Sequence, residues 1–119
     1  NESVVKIIKD LIKKGHRVVC GTNTIESHYD NHLSRGDYAF FDQTYTSVSM
    51  GVSKPDCDFW NKILLAEGFS SDECFFVDDK IENCEAAASL GITVFNLANF
   101  NQIKEFKKSI KVFLKNHKK

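Results

Sequence analysis

The stretch FFVDDKIEN, Phe75 to Asn83, constrains this chain more than any other. Three apolar residues run straight into two adjacent carboxylates, and the helical-looking CEAAASL follows. The pattern predicts a buried parallel strand over Phe75–Val77, ended by an acidic turn that opens a helix. In open α/β sheets, ligands bind outside the carboxyl ends of the strands. Asp78 and Asp79 lie at such an end. Neighbouring carboxylates repel, so one takes up a proton unless a cation sits between them. A hard, oxygen-liking cation, above all magnesium, is the natural occupant. Taken alone, the pair favours a solvated turn whose acids cap a helix. The rest of the chain alters that balance.

Helices and strands alternate along the sequence. Val4, Val5, Ile7, Ile8, Leu11 and Ile12 recur at helical spacing, with Ser3 a candidate N-cap and Gly15 a candidate C-cap. Arg17 to Cys20 reads as a short strand, followed by the polar turn Gly21–Thr24. IESHYDNHL reads as a second helix, broken by SRGDY. Thr44 to Val48 is a β-branched strand, and SMGVSKPD is a loop holding the chain's one proline, Pro55. Asp56 to Glu67 is a helix with Phe59, Ile63 and Leu64 facing inward, and Gly68 ends it. After the Phe75 strand, a helix runs from Ile81 to Leu90 and stops at Gly91. Ile92 to Phe95 is a further strand. Asn99 to Lys115 closes with a helix carrying Phe100, Ile103, Phe106, Ile110 and Phe113. Alternation with short connections predicts an α/β fold with a doubly wound parallel sheet. No internal repeat, low-complexity segment or linker divides the chain.

At 119 residues the chain is one domain at most. Sixteen basic residues balance sixteen acidic ones, so no whole-molecule field draws in nucleic acid or an anionic membrane. The basic run Lys115–Lys119 reads as a solvated helix end. No apolar run approaches membrane-spanning length. The opening NESVVKIIKD does not read as a signal peptide, because charge interrupts its apolar residues at once. Cys20, Cys57, Cys74 and Cys84 form no CxxC pair, which argues against a zinc knuckle. Cys20 and Cys74 read as small buried hydrophobes. Reduced thiols and a cytoplasmic protein are expected.

Three strand ends carry polar groups of matching chemistry. The first delivers Thr22 and Asn23, the second leads to Lys54, and the third delivers Asp78 and Asp79. In a parallel sheet these ends lie on one edge. A hydroxyl that donates, an ammonium that neutralises and a carboxylate-held cation that clamps an oxygen together suit a phosphate group. Alone, Thr22 would cap the next helix and Lys54 would be a surface lysine. Before Pro55, however, Lys54 sits in restricted, extended backbone that fixes its direction. Asn83, one helical turn beyond Asp79, is placed to hold the acidic loop or Lys54. His28 and His32, with Asp30, share a helical face without a visible third ligand or support, and read as solvated. Trp60 and the many phenylalanines read as core.

These residues resemble the haloacid dehalogenase superfamily, whose commonest members are phosphatases. VVCGTN, with Thr22, resembles its second motif, and GVSKPD, with Lys54, its third. FFVDDKIEN resembles its fourth, and AAASLGI the helix and turn that follow. The resemblance runs from about Val4 to Leu97. It implies a Rossmann-like three-layer α/β/α core and a magnesium-dependent hydrolase of small phosphorylated metabolites that works through an aspartyl-phosphate. In that reading Asp79 binds magnesium with Asp78 assisting, Thr22 and Asn23 hold phosphoryl oxygens, Lys54 stabilises charge, and Asn83 supports the loop.

The family's first motif, DxD after an N-terminal strand, is absent. Asp56 and Asp58 have the spacing but open a helix after Lys54 and follow no strand. The resemblance therefore implies that residues 1–119 are the C-terminal portion of such a core. The nucleophile strand, central in the family's sheet, and any cap would lie upstream, and a missing segment or second chain would complete the sheet. This chain alone is expected to be inactive. The alternative is a non-catalytic relative that uses the fold as a binding module.

Overall fold

The computed structural model describes residues 2–23 and 41–117. Its contacts divide into two compact units, residues 1–54 and 55–119. The expected helix at IESHYDNHL, with His28, Asp30 and His32, and Thr24 of the polar turn lie outside the described residues.

In the first unit, helix α1 spans Glu2–Lys13. Glu2 is already helical, so Ser3 lies inside the helix and does not cap it. The apolar residues at helical spacing make one half-buried stripe, as the periodicity predicts. Gly15 ends the helix at φ +92°, a left-handed conformation that glycine takes without a Cβ clash. The His16 amide reaches back to the Leu11 carbonyl at 3.0 Å and satisfies one of the exposed helix-end oxygens. Strand β1 follows at Val19–Thr22 and pairs in parallel with β2, Gln43–Thr46. The register sets Val19 beside Gln43 and Thr22 beside Thr46. Asp42 fixes that register: its carboxylate accepts from the Val18 amide at 2.8 Å, and its own amide donates to the Val18 carbonyl at 2.9 Å.

Two boundaries here differ from expectation. The first strand begins at Val19, not Arg17, and Thr22 is its last residue rather than part of a turn. The second stops at Thr46, and Ser47–Met50 form a one-turn helix, α2. β-branching predicted strand through Val48, but a capping box prevails. The Thr46 hydroxyl accepts from the Ser49 amide at 3.0 Å, and the Ser49 hydroxyl accepts from the Thr46 amide at 3.3 Å. Val48 is left exposed.

In the second unit, α3 spans Cys57–Glu67. Asp56 caps it by accepting from the Asp58 amide at 2.9 Å, and Gly68 closes it in the left-handed region. Strand β3, Phe75–Asp78, pairs in parallel with β4, Thr93–Asn96. Helix α4, Ile81–Ser89, connects the two strands and packs on both. This is a βαβ unit, for which parallel strands need a crossover. Helix α5, Ile103–Asn116, follows a short 3₁₀ turn at Phe100–Gln102.

Aromatic residues hold this unit together. Phe59 is fully buried, and Trp60 meets Phe76 edge-on with ring centroids 5.4 Å apart. Phe95 and Phe106 lie 5.5 Å apart, as do Phe75 and Phe113, so α5 covers β3 and β4 with its Phe106–Ile110–Phe113 face. Cys84, Ala87 and Ile92 complete the core. Ile63 and Leu64 are half-buried.

Parallel pairing and helix–strand alternation make this an α/β fold. Among the described residues the pairings form two sheets of two strands each. All four cysteines are free thiols. Burial pushes Cys20 up to about 11, against the pull of Lys54, and also raises Cys74 and Cys84. Cys20 and Cys74, expected as buried hydrophobes, are half-buried, and the buried thiol is Cys84. Among the described residues no helix is long and apolar enough to cross a membrane.

Phe59 is at 0% exposure and Leu65, on the same helix, at 85%. Phe59→Ala should cost about 3–5 kcal/mol of unfolding free energy, whereas Leu65→Ala should change it by less than about 0.5 kcal/mol. Urea denaturation of the two variants checks this, and equal losses would overturn the assignment of the core.

Candidate functional site

In the first unit the carboxyl end of β1 and the loop before Pro55 meet at Lys54. Gly21, Thr22 and Asn23 are consecutive, and two of them hold Lys54. The Asn23 side-chain oxygen accepts from the Lys54 amide at 2.8 Å, and the Asn23 side-chain amide donates to the Lys54 carbonyl at 2.9 Å. The Lys54 ammonium donates to the Gly21 carbonyl at 3.0 Å. Thr22, half-buried, lies between these two anchor points. The structure thus gathers Thr22, Asn23 and Lys54 into one cluster across a sequence separation of 31 residues. Asn23 is expected to hold phosphoryl oxygens; in this structure its side chain is occupied by the backbone of Lys54.

In the second unit Asp78 ends β3. Its carboxylate accepts from the Lys80 amide at 3.0 Å and from the Asn83 side chain at 3.1 Å. Its carbonyl accepts from the Asn96 side chain at 3.2 Å and the Leu97 amide at 2.9 Å. Asn83 is 3% exposed. A buried amide must find partners, and of the two roles its position suggested, the geometry gives it the acidic loop.

Asp79 is next in sequence and exposed. Its carboxyl is held above the ordinary carboxylate range, first by a hydrogen bond with Asp78, then by partial burial and the Asp78 charge; Lys80 pulls the other way. A second carboxylate beside Asp79 disfavours its charged form, and a cation placed there would relieve that repulsion. Among the described residues no three His, Cys, Asp or Glu side chains gather as a metal cage. Two carboxylates at a strand end suit magnesium, which keeps several waters and takes only one or two protein carboxylates.

Two contributors were not legible beforehand. Asn96 stands opposite Asp78 in the β3–β4 register, and only that pairing brings its amide to the Asp78 carbonyl. The Gly21 carbonyl is a backbone group, which a search by side-chain type passes over.

The model of the haloacid dehalogenase-like hydrolase family matches residues 1–97. A sesquiterpene phosphatase of Aspergillus oryzae is 35% identical over 74 residues, which are 62% of this chain and 34% of that protein. This chain therefore spans about a third of that curated relative. A HAD-family enzyme of Bacteroides thetaiotaomicron, solved in complex with magnesium and inorganic phosphate, superposes with a TM-score of 0.69. The match is 25% identical and covers 80% of this chain and 51% of that one. An uncharacterized protein of Corynebacterium glutamicum shares the fold with a TM-score of 0.73 at 18% identity, over 95% of this chain and 85% of its own. The motif order, the βαβ unit whose first strand ends at Asp78, and the match of the family model across residues 1–97 agree, and this chain belongs to the haloacid dehalogenase-like hydrolase family.

Proposed function

We propose that these residues serve a magnesium-dependent hydrolase of small phosphorylated metabolites. The observation that carries this reading is the Asp78–Asp79 pair. One carboxylate is anchored by Lys80 and Asn83, while the other is exposed and is held above the ordinary carboxylate range by its hydrogen bond with the first. The sesquiterpene phosphatase relative and the magnesium–phosphate complex of the Bacteroides enzyme support it.

In this reading Asp79 holds magnesium and Asp78 assists. The cation, when bound, supplies positive charge to the phosphoryl oxygens. The Thr22 hydroxyl donates to a phosphoryl oxygen, and the Lys54 ammonium stabilises charge on nucleophile and phosphate. Asn83 keeps the Asp78 carboxylate turned so that Asp79 faces outward. The nucleophile is a carboxylate that forms an aspartyl-phosphate. We place it on a strand outside these residues, because the DxD motif does not occur in the sequence. We propose that this segment, or a second chain, also completes the fold. Free thiols support a reducing, cytoplasmic setting.

Asp79→Asn in a protein carrying the nucleophile segment should weaken magnesium binding about tenfold or more. Isothermal calorimetry reads this, and unchanged affinity would remove Asp79 from the site. Only the ionised carboxylate binds the cation, and the pKa of Asp79 is raised. Affinity should therefore be full above that raised value and fall as pH drops through it. Asp78→Asn should move this fall to lower pH, because it removes the carboxylate whose hydrogen bond and charge raise Asp79.

The ammonium of Lys54 acts most strongly as charge develops. Lys54→Ala should therefore lower turnover of an aryl phosphate roughly a hundredfold with a smaller change in KM. A loss below about threefold would return Lys54 to the surface lysines.

Residues 1–119 alone should show no magnesium-dependent phosphatase activity, and adding the nucleophile segment should restore activity and cooperative unfolding together. An active, cooperatively folded monomer of residues 1–119 would overturn the assigned nucleophile.

A further inference from the structure

We infer that Asn23 is a positioning residue that acts through Lys54, not a ligand of the substrate. The inference rests on the reading of Lys54 as the cationic group of the site.

An asparagine side chain offers one acceptor oxygen and one NH₂ donor group. Here both are spent on a single residue: the oxygen takes the Lys54 amide at 2.8 Å and the NH₂ gives to the Lys54 carbonyl at 2.9 Å. One hydrogen bond sets a distance. Two, to the amide and carbonyl of one residue, also set its rotation. The Lys54 ammonium is tied to the Gly21 carbonyl at 3.0 Å. Lys54 is thus gripped at its backbone and at its tip by the residues on either side of Thr22.

The loop needs such a grip. Residues 51–56 contain no helix or strand. Pro55 narrows the backbone of Lys54 but says nothing about where Lys54 stands relative to β1. Asn23 is exposed, so it adds little to any core, and its two hydrogen bonds are the specific contribution the geometry gives it. The oxygen and one N–H of the amide are committed to Lys54, so a positioning role predicts that loss of Asn23 acts only through Lys54, whereas a ligand donating through the second N–H would act independently of it. A direct ligand and a positioning residue therefore make different predictions.

The test uses full-length enzyme with magnesium and an aryl phosphate, and compares Asn23→Ala, Lys54→Ala and the double variant. Asn23→Ala should lower kcat about tenfold, the size expected for losing two hydrogen bonds, with KM changed less than about twofold. In the Lys54→Ala background the same substitution should cost less than about twofold more, because its target is gone. Losses that multiply, or a raised KM with unchanged kcat, would make Asn23 a substrate ligand and overturn the inference.

Hydrogen exchange at the Lys54 amide supplies a second, activity-independent reading. Exchange should quicken about tenfold in Asn23→Ala and return to within about threefold of the parent in Asn23→Asp, which keeps an accepting oxygen. Unchanged exchange in Asn23→Ala would overturn the grip itself. If Asn23→Ala does not fold, Asn23→Asp decides alone. Parent-like amide exchange with parent-like kcat, or quickened exchange with lowered kcat, supports the inference, and lowered kcat with parent-like exchange overturns it. If Lys54→Ala leaves turnover intact, the functional reading of Lys54 fails and so does any catalytic role for Asn23, while the exchange data separately report whether the grip exists.

Discussion

Asp78 is the group on which the second unit depends. It ends β3, and its carbonyl and carboxylate collect hydrogen bonds that include those from the Lys80 amide, Asn83 and Cys84 on α4, Asn96 at the end of β4, and the Leu97 amide beyond it. A parallel strand that stops leaves backbone groups that still need partners. Here those groups and one carboxylate are satisfied by the elements that the strand must be joined to. Strand, crossover helix and neighbouring strand are pinned at one point, directly beneath Asp79.

This sets different fates for two chemically identical side chains. Asp78 is occupied and oriented, whereas Asp79 is exposed and carries the electrostatic consequence of standing beside it. The acidic turn is thus an anchored carboxylate followed by an exposed one.

In the first unit the same logic runs through a carboxylate, two hydroxyls and an amide. Asp42 sets the entry of β1 against β2, Thr46 and Ser49 stop β2 with a reciprocal cap, and Asn23 holds Lys54 together with the Gly21 carbonyl. Asp42, Thr46, Ser49 and Asn23 are short polar side chains that compete with regular structure for backbone groups. This is why the elements end where the polar residues stand.

Much of this was legible in the sequence. Period and punctuation gave the helices at Cys57–Glu67 and Ile81–Ser89, and Gly15 and Gly68 marked helix ends because only they take a left-handed backbone cheaply. The apolar run before Asp78–Asp79 gave a strand and its acidic end, as near-continuous apolar runs do in parallel sheets, although Phe75, Phe76 and Val77, expected to be buried, are half-buried among the described residues. Local composition could not settle where β2 yields to a helix. Thr44 to Val48 favour strand residue by residue, and the hydrogen bonds between Thr46 and Ser49 prevail over that preference. Nor could it say which partners Asn23, Asn83 and Asn96 would take. An asparagine amide serves a cap, a loop or a ligand equally well. Only the folded chain, by bringing Lys54 to Asn23 across 31 residues and Asn96 to Asp78 across 18, decided among them. Residue types carry the chemistry because donors, acceptors and charges are local properties. Their pairing is a matter of distance, and distance between remote residues exists only once the chain has folded.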